Sequence, residues 1–486
     1  MKDEGQTRPR RNSPRASQRG AARMISSFRL HPSSFRRRGR RGGTVLVATL
    51  WAVIVLTGVV LLMAQSMRVE ILGSSNRLGA VQTASIVHGA EQYVLSLVET
   101  AAGDPTTIVD PGVEYYRVGD PTSGGGYFWL IKPDPNNEQQ TVFGLVDEGA
   151  KVNINVLSSQ QLMKLPGMIQ QAADSLIDWI DTNSEVTGEG AEEQFYAPLG
   201  YSPKNDKLES VDELRLVQGF RQIDVQQNGY DILYGYDRNH DGILDPIERN
   251  GPTAALNSAQ GAGRGIAPFV TVYSIENNKT GANAANVNDD NTQNVKNALA
   301  KVLPQGRGDQ ITDQARRQRP FTSVFDFAAK GGMSPAELKS AYSALTYTTA
   351  KTVMGRVNVL TAPAEVLKCL PGLEDADVDN LISKRTSEET TGMAWVYEAL
   401  GPQKAGPVGT WITDKSYQYS ADIVVLSGNG KTFKRVRIVV DGRASPAKII
   451  YRKDVTELGF PPVLEGFRTA VRNGQVFDAG GSMSGF

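Results

Sequence analysis

The sequence predicts an α+β fold: one long N-terminal helix lying on an antiparallel sheet, with a large, mostly α-helical insertion splitting that sheet. Three observations carry this. Thr44 to Ala64 is a run of 21 residues without a charge, and apolar residues then recur at steps of three and four as far as Glu99. Runs rich in β-branched and aromatic residues cluster in 113–146 and again in 417–451. The stretch between them, 152–408, reads instead as helices joined by turns and repeats part of itself.

The apolar run decides how the N-terminus is used. About 20 apolar residues span a bilayer core as a helix. A cleaved secretory signal has a shorter core of about 7–15 residues, with its small-residue cleavage site after the core. Here the small residues, Gly42 and Gly43, come before it, at the end of Arg40-Arg41-Gly42-Gly43. That order suits a cytoplasmic peptidase that removes the basic leader and leaves the helix in the membrane; the plainer alternative is an uncleaved signal anchor.

The chain balances 52 basic against 52 acidic residues, but unevenly: residues 1–43 hold 13 Lys and Arg against two acids. Basic charge beside a membrane helix stays in the cytoplasm, which places the leader inside and the acidic bulk outside. An acidic exterior argues against nonspecific nucleic-acid binding. Cys369 is the single cysteine, so no intrachain disulfide forms, and it reads as a small buried residue. Residues 1–35, rich in Arg, Ser and Pro without apolar periodicity, are expected to be disordered.

The helix is expected from about Thr44 to about Glu99, with Leu78, Val81, Ala84, Val87, Ala90, Val94 and Leu97 as its inward stripe. Strands are expected at Val113–Val118, Tyr127–Lys132 and Thr141–Val146, each bounded by Gly, Pro or Asp. The insertion then opens and nearly closes with a repeat. Lys151-Val152-Asn153-Ile154 recurs as Arg356-Val357-Asn358-Val359, Leu165-Pro166-Gly167 as Leu370-Pro371-Gly372, and Leu162, Leu176 and Ile177 as Leu367, Leu381 and Ile382. Each copy reads as helix, turn, helix and resembles a helix-hairpin-helix unit. Nucleic-acid-binding versions need free backbone N–H groups at the hairpin and basic residues nearby. Both turns here lack the second glycine, and Glu374, Asp375, Asp377 and Asp379 would repel phosphate. The spacing of Ser210 and Glu213 fits a capping box.

The sharpest motif is Asp237-Arg-Asn239-His-Asp241-Gly242-Ile243-Leu-Asp245-Pro-Ile-Glu248. It matches the EF-hand calcium loop: oxygen side chains at positions 1, 3, 5 and 9, glycine at 6, a backbone carbonyl at 7 and glutamate at 12. Calcium takes six to eight hard oxygens. Asp237, Asn239, Asp241 and Glu248 supply five, the Ile243 carbonyl a sixth, and Asp245 one more directly or through water. The flanks, Tyr234-Gly235-Tyr236 and Gly251-Pro252, are poor EF helices, which points to a lone calcium loop. The alternative is an Asp/Asn/Gly-rich surface turn.

Asn277–Thr292 is expected to be a flexible loop, Phe321–Tyr347 helical with a start at Ser334-Pro335-Ala336-Glu337, and Gly401–Gly409 a Gly/Pro linker. Strands resume at Tyr417–Leu426 and Thr432–Val440 around a Ser427–Gly430 hairpin turn, with an edge strand at Lys448–Tyr451. Gly474–Phe486 is expected to fray.

Arg-Arg-Gly-Gly followed by Thr44-Val-Leu-Val-Ala48-Thr-Leu-Trp-Ala resembles the type III signal of type IV pilins and type II secretion pseudopilins. The Val152-Asn153-Ile154-Asn155, Asp178-Trp179-Ile180-Asp181 and Ala362-Pro363-Ala364-Glu365-Val366-Leu367 segments extend the likeness over about 44–452. The chain thereby resembles the type II secretion system minor pseudopilin K (GspK) family, with its pilin-like helix and sheet.

The resemblance implies a leader at 1–43 cut between Gly43 and Thr44, a transmembrane and amphipathic helix at 44–102, and sheet segments at 103–151 and 409–452. It places the inserted domain at 152–408 and a C-terminal tail at 453–486. It implies calcium (Ca2+) in the insertion, with Asp178, Asp181, Asn183 and Glu185 as a second candidate set; a solvated helix end explains those four equally well. It implies a minor pseudopilin at the tip of the pseudopilus that initiates the fibre and supports export. The expected partners are other minor pseudopilins, the inner-membrane assembly platform and prepilin peptidase. The expected location is the inner membrane, single-pass, with the bulk periplasmic. The competing reading is a membrane-anchored helix-hairpin-helix protein for DNA binding or uptake, or a minor type IV pilin. An enzyme is not expected: the three histidines, His31, His88 and His240, fit no catalytic motif, and neither a Gly-x-Ser-x-Gly elbow nor a His-Glu-x-x-His site occurs.

Overall fold

The structure is a computed structural model that describes residues 43–101, 103–104, 112–220, 231–245, 248, 263–278, 284–387, 392–478, 480–481 and 483. Residues 1–35, where disorder is expected, lie outside the described residues. The chain divides into two units, 1–70 and 71–486.

Helix α1 runs from Gly43 to Ala101. In the first unit it is long and apolar enough to cross a membrane, with Leu46, Trp51, Ile54 and Leu62 all exposed. In the second unit its buried face is Gly79, Thr83, Ile86, Val87, Ala90, Glu91, Val94, Val98 and Ala101. Of the expected stripe, Val87, Ala90 and Val94 are buried and Leu97 packs against the same core, but its N-terminal part faces outward. Leu78 and Val81 stay 59% and 65% exposed, while Glu91 is buried because Arg452 Nε donates to its carboxylate at 2.8 Å.

After α1 come β1 (Tyr116–Val118), β2 (Gly126–Pro133), β3 (Thr141–Phe143) and β4 (Val146–Asp147). The insertion follows. It holds the short strands β5 (Val152–Asn153), β6 (Val270–Thr271), β7 (Ile275–Asn277), β8 (Ala285–Asn286), β9 (Leu345–Thr346), β10 (Thr352–Met354), β11 (Val357–Asn358) and β12 (Ile412–Thr413). The main sheet then resumes with β13 (Gln418–Ser427), β14 (Phe433–Asp441) and β15 (Lys448–Asp454). Seven strands form one antiparallel sheet in the order β1-β2-β13-β14-β15, with β3 on β2 and β4 on β13. The insertion thus leaves and re-enters beside β13, the central strand.

Alternation along these strands gives the sheet two apolar faces. One, with Phe128, Leu130, Ile423, Val425, Val436 and Ile438, packs on α1. The other, with Tyr127, Trp129, Ile131, Val424 and Leu426, packs on the C-terminal residues. The helix Glu465–Arg472 buries Phe467 and Val471 there. Gly474–Phe486 was expected to fray, but Phe477 N–H donates to the Tyr127 hydroxyl at 2.9 Å and Gly481 bridges to Tyr115. A sheet with two apolar faces needs a second cover, and the tail is the cover.

The insertion has its own continuous core and is built from three modules rather than the two copies visible in sequence. In each, a strand ending in asparagine pairs in parallel with a strand ending in threonine: β5 with β6, β8 with β9, β11 with β12. Each asparagine Oδ1 accepts the backbone N–H two residues on, at 3.1 Å for Asn153, 3.0 Å for Asn286 and 3.0 Å for Asn358. The threonine hydroxyls donate to Glu148, Asn278 and Glu276. The middle module, 285–346, falls partly in the stretch expected to be a flexible loop. Its first helix, Thr292–Ala300, has nine residues where α2 (Ser159–Leu162) has four, which shifts its Leu303-Pro304 turn out of register.

α2 and α3 (Gln170–Ile180) flank the first Leu-Pro-Gly turn, and Ala364–Lys368 and Asp375–Ser387 flank the last. The two turns meet: Lys164 Nζ donates to the Leu370 carbonyl at 3.4 Å. Three further expectations change. The Gly401–Gly409 stretch expected as a linker lies instead within the helix Ala394–Val408 and its cap Gly409, with a break at Gly401 after which Pro402 begins a new turn where no N–H is needed. Ser210 precedes a 3-10 helix, Val211–Leu216, without a side-chain cap; Glu213 accepts from Glu209 N–H and Lys204 instead. The Ser334–Glu337 start does form a capping box.

That box carries a pH signature. Arg307 Nε donates to Glu337 at 2.6 Å, and this bond, with Ser334, holds the Glu337 carboxyl down at about 2. The folded value lies below the unfolded one, so the contribution is complete above about pH 4.5 and is lost as pH falls towards 2. Arg307→Met is expected to cost about 1–2 kcal/mol at pH 7 and nearly nothing at pH 2. Urea unfolding at both pH values checks it; an equal cost at both would remove the assignment.

Candidate functional site

The Asp237 loop is shaped by two residues with positive φ, His240 at 62° and Gly242 at 87°, which turn the backbone back on itself. Asp237 is 3% exposed and Glu248 9%. The Asp237 carboxylate accepts Asp241 N–H at 3.2 Å and Gly242 N–H at 2.7 Å. Glu248 accepts Arg238 N–H at 2.9 Å and Asp245 N–H at 3.2 Å, and its own N–H returns to Asp245 Oδ1 at 3.1 Å. Asn239 Oδ1 takes Asp241 N–H, and Asp241 Oδ1 takes Ile243 N–H. Positions 1 and 12 of the motif therefore close the loop on itself.

Burial pushes the Asp237 carboxyl up to about 7, with the charges of Asp241 and Glu248 adding to it against the Gly242 N–H. Burial raises Asp241 as well, opposed by Ile243 N–H and by Arg435 and Arg437. Among the described residues, no three His, Cys, Asp or Glu side chains converge closely enough to hold an ion as they stand. The donor set is nevertheless all hard oxygen, and its buried carboxylates repel one another, which suits a divalent cation of calcium's chemistry. Asp237, Asn239, Asp241, Asp245, Glu248 and the Ile243 carbonyl are the residues that would hold it.

The second candidate set is rearranged. Asp178, at the end of α3, is fully buried and accepts Thr187 N–H at 3.0 Å. A Cβ on Gly190 would stand 2.1 Å from its Oδ2, so the chain can pass there only as glycine. Asp181 and Asn183 cap the turn that follows, taking Asn183 N–H at 3.2 Å and Glu185 N–H at 2.6 Å; Asn183 and Glu185 are exposed. Sequence reasoning missed Glu192. It lies just before α4 (Glu193–Tyr196), is 3% exposed, and neither carboxylate oxygen has a hydrogen-bond partner. Burial and then the charges of Asp178 and Asp181 raise its pKa. The buried carboxylates of this turn are thus Asp178 and Glu192, with Asp181 half-buried. The sequence carries only a Gly-Ala-Glu-Glu stretch here, which does not say which glutamate turns in.

The remaining candidates lie at the N-terminus. Gly43 and Thr44 open α1, and Thr44 to Ala64 is helical throughout.

Residues 142–227, which span the end of the first sheet segment, the first hairpin and the Asp178–Glu192 turn, match the family model described as type II secretion system (T2SS), protein K. Among solved structures, the chain is similar to one in the GspK–GspI–GspJ complex from the enterotoxigenic Escherichia coli type 2 secretion system. The identity is 12% over 77% of this chain and 96% of that one, with a TM-score of 0.38. No curated protein matches the chain. The protein K match over residues 142–227, together with a long N-terminal helix followed by an antiparallel sheet, supports a minor pseudopilin of the type II secretion protein K family, a structural component of that system.

Proposed function

We propose that this pseudopilin stands at the tip of the pseudopilus, where it initiates fibre assembly and supports export across the outer membrane. The observation that carries this is the uncharged run from Thr44 to Ala64. With Thr44 as the first mature residue the fifth is Ala48, the position where pilin-like families usually carry a glutamate. A charge in lipid costs several kcal/mol unless it is paired, so that glutamate needs the N-terminal amine of a subunit ahead of it. A helix without it suits the first subunit in line. Bulk supports the same place: residues 152–408 interrupt the sheet beside its central strand and would crowd neighbours if repeated along a thin fibre.

The helix anchors the chain in the inner membrane with its bulk in the periplasm. Its partners are other minor pseudopilins, as GspI and GspJ accompany GspK in the Escherichia coli complex, together with the assembly platform and the prepilin peptidase that cuts after Gly43. Cells lacking the chain are expected to lose secretion and to regain it with the wild-type gene, and its N-terminus is expected to begin at Thr44. Ala48→Glu is expected to impair that rescue. Intact secretion after deletion, or failure to copurify with other pseudopilins, would end the tip reading.

Calcium belongs to this reading as a stabiliser of the insertion, at the Asp237 loop first and at the turn after Asp178 second. An ion that binds only the folded chain at a hundred times its Kd adds about 2.7 kcal/mol. Chelator is expected to lower the Tm of the full chain, and Glu248→Ala to remove the first loop's share of that shift. An unchanged shift in Glu248→Ala counts against the Asp237 loop.

A further inference from the structure

The Asp237 loop belongs to the insertion but meets the first half of the sheet. The turn joining β2 to β3 lies against it. Leu244 N–H donates to the Glu138 carbonyl at 2.8 Å. Arg264, 6% exposed, ties the two from the side: Nη1 donates to the Gly242 carbonyl at 3.2 Å and Nη2 to the Asp134 carbonyl at 3.1 Å. The Glu138 carboxylate stands 3.9 Å from Arg264 Nε. Tyr236 and Leu244 form a small core of their own here. A Cβ on Gly242 would approach Pro133 Cγ to 2.5 Å, so the contact is close-packed.

The Leu244 N–H and the Ile243 carbonyl belong to one peptide unit. That unit is planar and trans, so its oxygen and its hydrogen point in opposite directions. In a loop of this type the carbonyl at position 7, here Ile243, is a calcium ligand. A cation that fixes the Ile243 oxygen on one side therefore fixes the direction of the Leu244 N–H on the other, towards Glu138. The adjoining Gly242 carbonyl is not a ligand in such loops and stays available to Arg264. The ion's charge also offsets the repulsion among Asp237, Asp241 and Glu248, which otherwise spreads the strand of chain that carries these two contacts.

We propose that calcium in the Asp237 loop is a latch that fastens the helical insertion to the β2–β3 hairpin of the sheet, through the Ile243–Leu244 peptide and Arg264. This rests on the calcium reading above and adds to it a mechanical consequence: the ion sets how firmly the insertion is held to the sheet.

Amide hydrogen exchange on the full chain in detergent, with calcium or with chelator, tests it alongside calorimetric calcium titration. Calcium is expected to slow exchange about ten-fold or more both in the loop, 236–245, and in the hairpin, 133–141. Glu248→Gln is expected to abolish both effects. Arg264→Gln and the milder Arg264→Lys are expected to keep calcium binding while weakening protection of the hairpin. Calcium binding that protects 236–245 and leaves 133–141 unchanged would overturn the latch and leave the calcium reading standing. Calorimetry in which Glu248→Gln binds as much calcium as the wild type would overturn both.

Discussion

Arg435→Ala is expected to destabilise the folded chain by about 3–5 kcal/mol, the range for breaking a buried ion pair by removing one partner. Arg435 is 2% exposed in the middle of β14 and grips Asp422 of β13 with two parallel bonds, Nε to Oδ1 at 2.9 Å and Nη2 to Oδ2 at 2.8 Å. Arg437 Nη2 adds a third at 3.1 Å from a half-exposed position. Deleting the Arg435 guanidinium leaves Asp422, 8% exposed, with one partial partner. Arg435→Lys restores charge but not the planar fork, so it should recover only part of the loss. Replacing both residues, Asp422→Leu with Arg435→Met, should cost far less than either single change, because nothing charged is then left behind. Urea unfolding of these variants, with the single changes Asp422→Leu and Arg435→Met, checks this; a loss under about 1 kcal/mol for Arg435→Ala would show that Arg437 and solvent satisfy Asp422.

Phe467→Ala should cost about 3–5 kcal/mol as well, for a different reason. Its ring is fully buried and lies 5.1 Å from Tyr115, 5.0 Å from Tyr127, 5.0 Å from Trp129 and 4.2 Å from Phe477 between ring centres. Truncation opens a cavity where four aromatic side chains meet, and it removes the contact that holds the tail to the sheet. Limited proteolysis should then cut within 456–478 at concentrations that spare the wild type, while Val476→Ala, at a 49% exposed site, should change stability by no more than about 0.5 kcal/mol. If the tail of Phe467→Ala stays resistant, the tail is held by its other contacts.

The tail also marks where local reading stops. Residues 474–486 contain four glycines and two serines in 13 positions, the composition of a loose end. What holds the described ones, Phe477 and Met483 among them, is the apolar back of a sheet whose strands lie more than 300 residues earlier, at Tyr115, Tyr127 and Trp129. The middle module escaped notice for a related reason. Its Asn286-Val287-Asn288 and Leu303-Pro304 are present in the sequence, but five extra helical residues between them break the fixed offset by which the outer copies are found.

By itself the sequence determined the elements whose signal is local. An uncharged run of bilayer length makes the anchor helix whatever it later touches; alternation makes β13 and β14; and glycine at position 6 between spaced oxygen side chains shapes the Asp237 loop from within twelve residues. Only the tertiary structure decided which side of each element faces inward. Periodicity at steps of three and four allows more than one stripe, and contact with the sheet chose Gly79, Thr83 and Ile86 over Leu78 and Val81. The same holds at the candidate metal turn, where Glu192 and not Glu185 is buried beside Asp178. Burial is a relation between distant segments, and the free energy that fixes it, apolar area removed from water and buried charge left paired or unpaired, belongs to the packed whole rather than to any stretch of residues.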